Sequence, residues 1–476
     1  MWRGDDPWPL ARLVRSVLPL VAAGGGAAVK RAVAGQVVAY PRRRAAGGVA
    51  VHWGRELCEL DWAATGSDAL EYAGRYLGAF AKATPTLYVR NARATEVGVA
   101  LLDGATALPL TRPTRERNRG GRGDAYTASA RAHFVEYVED EIRLLADAAL
   151  RSPRLAAHGA LARLALRWCV LVPLLVLVRV WGWLAAWAEL DRCVFVNNWL
   201  LSTSLHPPRP PADADAAAAL TAALTASLPD HALVYRSLDE HTSADLLAAL
   251  RAAGWATIPA RYVHFQRPAD DAALWRRQAV KTDLKLAAKR LTPSGPLEWR
   301  ELAADAPMAE YARCVELYEL LYVGRYSGCN PRFTAAFVAL AVRARLLTVL
   351  VLADAASGAI DGVLGYYSRN GYLTCPLFGY DTAQPAAAGL YRLLSLKVLQ
   401  EGRRLGVEVH ASGGAAGFKR QRGAASAVEY IAVHDAHLPG RRRAAWLVLR
   451  ALLKPLAALA TQDAAGCAAV AGVTPN

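Results

Sequence analysis

Lysine and methionine are scarce in this chain. Of 56 basic side chains in 476 residues only 8 are lysine, the other 48 are arginine, and methionine occurs twice. With alanine abundant throughout, such usage reflects a GC-rich coding sequence, so an arginine here says less about function than it would elsewhere. The seven cysteines (58, 169, 193, 314, 329, 375 and 467) are an odd number with no C-x-x-C pair. That speaks against a disulfide framework and against a zinc ribbon, and for dispersed, reduced thiols in a cytoplasmic protein. No metal is expected. Equally missing are a P-loop, a G-x-G-x-x-G after a strand, an H-E-x-x-H pair, a G-x-S-x-G elbow and any heptad run. What is present is apolar: 54% hydrophobic residues against 20% charged. A mostly disordered chain is excluded, because one could not bury so much surface. A mean hydropathy of +0.14 is nonetheless low for a polytopic membrane protein. The length fits two or three compact domains.

The net charge of +15 sits mainly at the ends. Residues 1–50 carry eight basic and two acidic side chains, and 403–454 carry ten and three. A near-neutral middle with basic ends suits an anionic surface, a phosphorylated ligand or a membrane face, or is simply a solvated arginine-rich surface.

Three apolar stretches bear on membranes. Val17–Val29 follows Arg12 and Arg15 like a secretory leader, but Asp5, Asp6 and three glycines break that pattern. Trp168–Leu190 is almost wholly apolar, with Pro173 and Arg179 inside it. An arginine in mid-span is costly, so this stretch is expected to be a core helix packed on protein, with an interfacial helix or a span as alternatives. In 441–460, Trp446, Leu449, Leu453 and Leu456 recur at helical spacing while Arg443, Arg450 and Lys454 fall elsewhere. Such a helix lies on an anionic membrane or docks on its own domain.

Strand and helix signals alternate along the rest. TLYVR and a hairpin over 97–110, turning at Asp103-Gly104, come first. A helix over 128–150 with Glu136, Glu139, Asp140 and Glu141 outward follows, then a buried strand over 193–196. PPRPPADAD (207–215) breaks the chain. Helices over 220–228 and 239–253 and strands over 231–237 and 260–266 lead to a basic helix, 275–291, with Lys281, Lys285 and Lys289 four apart. Beyond Pro293–Pro296 come helices over 311–321 and 332–346. A three-strand meander (347–353, 363–369 and 372–380), a helix (389–404), a strand (407–412), a helical turn and a last strand (426–434) close the pattern.

That last order is the order of an acyl-CoA N-acyltransferase half-fold. HASGGAAGFKRQRGA (410–424) resembles the strand-to-helix motif of GNAT-superfamily proteins of the Fem-like and cellulose-biosynthesis acetyltransferase type. The basic helix 275–302 resembles their inter-domain linker, and segments 124–142 and 194–208 are similar to parts of such proteins. The resemblance spans roughly 120–435. It implies an α/β (α+β) fold of two GNAT-like halves, with mixed, mostly antiparallel sheets flanked by helices. The expected divisions are a basic segment 1–50, a degenerate lobe 51–275, a linker helix 276–296, an acyltransferase domain 297–440 and a basic amphipathic tail 441–476. The implied activity moves an acyl group from acyl-CoA, acetyl-CoA above all, to a small-molecule or peptide amine. Alternatives are transfer from an aminoacyl-tRNA, or a non-catalytic protein at a membrane surface through 441–460 or on nucleic acid.

Candidate site residues follow from strand ends and a helix start. A helix N-terminus favours anions, which assigns Thr382, Gly389, Leu390 and Tyr391 to the cofactor's phosphates, although QPAAAGLYR departs from the usual glycine-rich loop. Lys419 and Arg422 match the family's basic positions and join them. His410, Asp381 and Tyr380 end strands and are candidates for proton transfer. Ser412, two residues from His410 and so on the same strand face, joins Tyr322, Arg325 and Tyr326 on the acceptor side.

Overall fold

The computed structural model describes residues 48–63, 66–114, 123–151, 159–206, 213–292 and 294–453. Among them, twelve strands hydrogen-bond into one mixed sheet in the order β1-β2-β3-β4-β5-β12-β6-β11-β10-β9-β8-β7. The strands are β1 (Val49–Trp53), β2 (Thr95–Leu102), β3 (Thr106–Pro113), β4 (Cys193–Val196), β5 (Ala232–Asp239), β6 (Ala256–Gln266), β7 (Leu297–Glu301), β8 (Thr348–Asp354), β9 (Ile360–Arg369), β10 (Tyr372–Tyr380), β11 (Glu408–His410) and β12 (Ala425–His434). Flanking helices are α1 (Asp68–Lys82), α2 (Tyr137–Leu150), α3 (Gly159–Trp187), α4 (Ala214–Ser227), α5 (Ala244–Ala252), α6 (Gln278–Arg290), α7 (Met308–Arg325), α8 (Ala335–Arg343), α9 (Leu390–Leu405), α10 (Ala416–Gln421) and α11 over 440–453.

The two halves repeat one plan. In each, an antiparallel meander leads to a parallel pair, β4 with β5 and β10 with β11. A helix crosses over between the parallel strands, α4 in one half and α9 in the other. The halves then interleave: β6 of the first lies between β11 and β12 of the second, and β12 lies between β5 and β6. The meander 348–380 forms as the alternation implies, β8 against β9 and β9 against β10. The β2–β3 hairpin turns through Asp103, Gly104 and Ala105, with Leu102 opposite Thr106 and left-handed backbone at Asp103 and Gly104, φ 50° and 64°. Val89 makes only an isolated bridge to Phe333, and 85–87 is a short 3-10 turn rather than a strand.

Two expectations about side chains are corrected. The acidic face of α2 does not point to water: Glu139 is buried and held by Arg143 at 2.6 Å and Arg179 at 3.5 Å. Nor is the apolar segment buried: only 6% of the most apolar stretch of α3 lies inside the protein. One side of α3 packs through Val178 and Ala185 into a core with Phe195, Ile431 and Val433, and Leu161, Trp168, Val180 and Trp183 remain exposed. In α11, by contrast, Trp446 and Leu449 belong to that same core, so they are not free to face lipid. The leader-like run 17–29 and residues 454–460 lie outside the described residues. Among the described cysteines, 58, 169, 193, 314, 329 and 375 are free thiols.

Candidate active site

The second half-sheet opens between β10 and β11. The strands pair over Tyr372–Glu408, Leu373–Val409 and Thr374–His410, then β11 ends while β10 runs on to Tyr380. They part at a bulge, where the register of β10 against β9 shifts between Thr374 and Leu377. Pro376 has no N–H to give the ladder, which is why the break falls at Cys375-Pro376. Gly379 lets the far end of β10 lie against α7, since a Cβ there would meet the Leu317 backbone at 2.4 Å.

The matching gap in the first half is closed. Asn197 to Leu201 turn inward directly after β4 and are buried, and Asn198 Nδ2 donates to Thr111 Oγ1 and to the Thr127 carbonyl, each at 2.6 Å. Around the second gap Cys375, Tyr380, Tyr391, Phe418 and Lys419 stay half-buried. One half is plugged and the other keeps access.

Lys419, from the short helix α10, reaches back over the end of β11. Its Nζ donates to the carbonyls of Ala411, Ser412 and Gly413 at 2.6, 3.1 and 2.7 Å, drawing the loop into left-handed backbone at Ser412 and Ala415. Burial, reinforced by the charge of Arg261, pushes its pKa down to about 7. Arg261 on β6 makes a two-pronged pair with Glu429 on β12, at 3.0 and 3.1 Å, and the two residues lie directly opposite in the register. From the first half, Glu141 on α2 completes the cluster. Burial pushes its carboxyl up to about 7 against the pull of Arg261. Tyr137, one helical turn before Glu141, interacts electrostatically with Glu141, Tyr126, Arg261 and Tyr326. Burial thus pushes both Glu141 and Lys419 toward neutrality, and each feels the charge of Arg261.

The residues assigned from sequence distribute unevenly. Tyr322 and Tyr326 have ring centroids 6.2 Å apart, and Tyr380 and Tyr391 6.0 Å apart. Arg325 ties the two pairs together, Nη1 to the Tyr380 hydroxyl at 3.3 Å. Tyr391 also meets Phe418 edge-on at 4.8 Å, so these five residues form an aromatic wall. His410 is buried beside them; its Nδ1 accepts the Ser412 N–H at 3.2 Å. Burial lowers its pKa to about 4, with Glu429 and Asp239 opposing. Asp381 accepts from Arg313 at 2.9 Å and caps the Ala383 N–H at 2.9 Å in the turn holding Thr382, so both carboxylate oxygens are engaged. Gly389 is the left-handed residue before α9, and no side chain caps that helix. Leu390 is packed in a small core with Leu297 and Leu352.

Arg422 is buried, its Nε on Asp283 at 2.7 Å. Asp283, from α6, also takes Arg392 Nε in the first turn of α9 at 2.6 Å. An anion of the protein's own therefore sits between two arginines at the start of that helix. Glu141, Tyr137, Arg261, Glu429, Cys375, Phe418 and Asp283 were given no site role from the sequence, although Phe418 lies in the 410–424 motif and Tyr137, Glu141 and Asp283 in other segments that carry the resemblance. They come from separate elements and meet only through the interleaved sheet.

The chain has a GNAT-like α/β fold by its own strand order, parallel pair and splay. No protein-family model matches the chain, and no curated protein does. Its structural neighbours include the C-terminal domain of a putative lysylphosphatidylglycerol synthetase from Agrobacterium fabrum, at 13% identity and TM-score 0.37 over 50% of this chain and 77% of that one. A tandem GNAT protein from the clavulanic acid biosynthesis pathway aligns over 81% and 98% of the two chains, at 13% identity and TM-score 0.35. FemX aligns over 46% and 77%, at 8% identity and TM-score 0.37.

Proposed function

We propose that this protein is an acyl-group transferase whose reaction takes place where β10 and β11 part. The observation that carries the reading is the splay itself, where β10 runs on past the end of β11 and Lys419 holds the loop that follows β11. In the reaction the acceptor's amine nitrogen attacks the donor's acyl carbon. A C–N bond forms, the bond from the acyl carbon to the donor's sulfur or oxygen breaks, and the leaving group takes a proton from water. The amine proton passes to Glu141, whose pKa near the working pH suits a general base. His410, with a pKa of about 4 and its Nδ1 engaged by Ser412, is a weaker base and serves to position the 411–413 loop. Backbone N–H groups at the splay, with the Lys419 ammonium nearby, offset charge on the carbonyl oxygen. Arg325 and the tyrosines line the acceptor side.

Acyl-CoA is the first donor to test. A second reading, transfer from an aminoacyl-tRNA, is favoured by Asp283: its carboxylate occupies the arginines at the start of α9 that a donor phosphate would need. The experiment is a thermal-shift screen of acyl-CoAs of increasing length against aminoacyl-tRNAs, followed by product detection with amine acceptors. Stabilisation and turnover with one donor class identify it. No shift and no product with either class would refute the transferase reading.

A further inference from the structure

The outer face of α3 is an extended apolar surface that the reaction does not use. Leu161, Leu164, Trp168, Val176, Val180 and Trp183 are all exposed, Leu161 at 81% and Trp183 at 70%. Their spacing of three, four or eight residues puts them along one side of a helix of 29 residues, about 43 Å long. Soluble proteins rarely leave so continuous an apolar stripe to water. The neighbouring α11 adds exposed Leu447 and Leu452 beside its buried Trp446 and Leu449. The two helices are joined where Arg441 donates to the Trp187 carbonyl at 2.7 Å.

The charge on these helices identifies the occupant. On α3 the charged side chains are Arg163, Arg167 and Arg179 and on α11 Arg441, Arg442, Arg443 and Arg450, with no acidic residue on either helix, although Arg179 meets Glu139 and Arg441, Arg442 and Arg450 meet Glu189, Asp230 and Asp435 from neighbouring segments. A second copy of the chain would set like charges against each other across a two-fold interface. Residues 1–50 are net basic too, so the chain's own leader-like end repels rather than complements this face. An anionic bilayer satisfies both features, taking the apolar side chains among its acyl chains and the exposed Arg163 and Arg167 among its headgroups. Trp168, Trp183 and Trp187, all exposed on this helix, suit the headgroup boundary at which an in-plane helix lies. Val178, Ala185 and the half-buried Leu171, Leu174 and Trp181 pack the helix lengthwise on the β4–β5–β12 core, contacts that an in-plane helix keeps and a span would have to leave behind.

We propose that α3, with α11 beside it, is an in-plane docking surface for anionic membranes. This stands apart from the transfer reaction, because no residue of the aromatic wall or the Glu141–Arg261–Lys419 cluster belongs to it. The test is sedimentation of the full chain with phosphatidylcholine vesicles, with and without phosphatidylglycerol, alongside tryptophan fluorescence. The wild type should partition onto the anionic vesicles with a blue shift. The combined variant Leu164→Gln, Val176→Gln, Val180→Gln, Trp183→Gln should lose roughly tenfold or more of that binding with an unchanged melting temperature, since all four sites are exposed. Arg163→Gln with Arg167→Gln should erase the preference for phosphatidylglycerol. Wild type that stays in the supernatant, or a four-site variant that binds as well as wild type, would overturn the proposal. So would a wild-type dimer that the four substitutions dissociate while neither form binds vesicles.

Discussion

Glu141 and Lys419 carry the pH behaviour of the site. If Glu141 is the base, it must be deprotonated, so turnover should rise through about pH 7. If the Lys419 ammonium is needed, turnover should fall as it deprotonates near the same pH. The expected profile is a narrow bell centred near neutrality. Glu141→Gln should cut kcat by roughly a hundred- to ten-thousand-fold, remove the acid limb and leave KM little changed; a variant with an intact acid limb would put the proton elsewhere. Lys419 also has a stability signature. Its folded pKa lies below the unfolded value, so between about pH 7 and the unfolded pKa the unfolded chain binds more protons, and stability rises with pH. Chemical denaturation from pH 7 to 9 should show wild type gaining on Lys419→Met as pH rises, and parallel curves would mean that the amine is not desolvated. Lysine 419 was legible in the sequence because it sits in a local motif. Glu141 was read as a solvent-facing helix residue, because nothing in its neighbourhood of the chain announces that Arg261, 120 positions away, will face it.

At the scale of elements, the splay depends on how closely α7 approaches β10. A methyl at Gly379 would overlap the carbonyl of Leu317, backbone that cannot swing aside. Gly379→Ala should therefore destabilise the protein by about 1–3 kcal/mol and misplace Tyr380, lowering melting temperature and activity together. An unchanged melting temperature would show that α7 can move. The alternation over 347–380 foretold β8, β9 and β10, because side-chain period and turn residues are local properties. The fate of the apolar segment was not foretold in the same way. Composition gives the same reading for a buried helix and an exposed one, and only the position of the β4–β5–β12 core decides which side of α3 is covered.

For the molecule as a whole, the interleaving of β6 and β12 makes each half incomplete without the other. Expressed separately, residues 1–291 would leave β5 as an open edge and β6 without a partner, and the remainder would leave β11 as an open edge and β12 without a partner. Cleavage engineered into the link between α6 and β7 should leave two fragments that co-purify and unfold in one transition. Expressed apart, each should aggregate through its unpaired edges. Fragments that separate into two soluble, independently melting pieces would contradict this.

The order of strands and helices from 348 to 434, with the parallel crossover it contains, and the basic character of the two ends were determined by the sequence alone. Each is written in short windows, as a period of hydrophobic residues, a turn dipeptide or a run of arginine. The tertiary structure decided the rest. The first half's gap is plugged by Asn197–Leu201 and the second's is left open. Asp283, rather than solvent, meets Arg392 and Arg422, and the charge of Arg261 from β6 reaches both Glu141 of α2 and Lys419 of α10. Those outcomes depend on pairing between strands far apart in the chain, and on the desolvation that such pairing imposes, which no local pattern encodes.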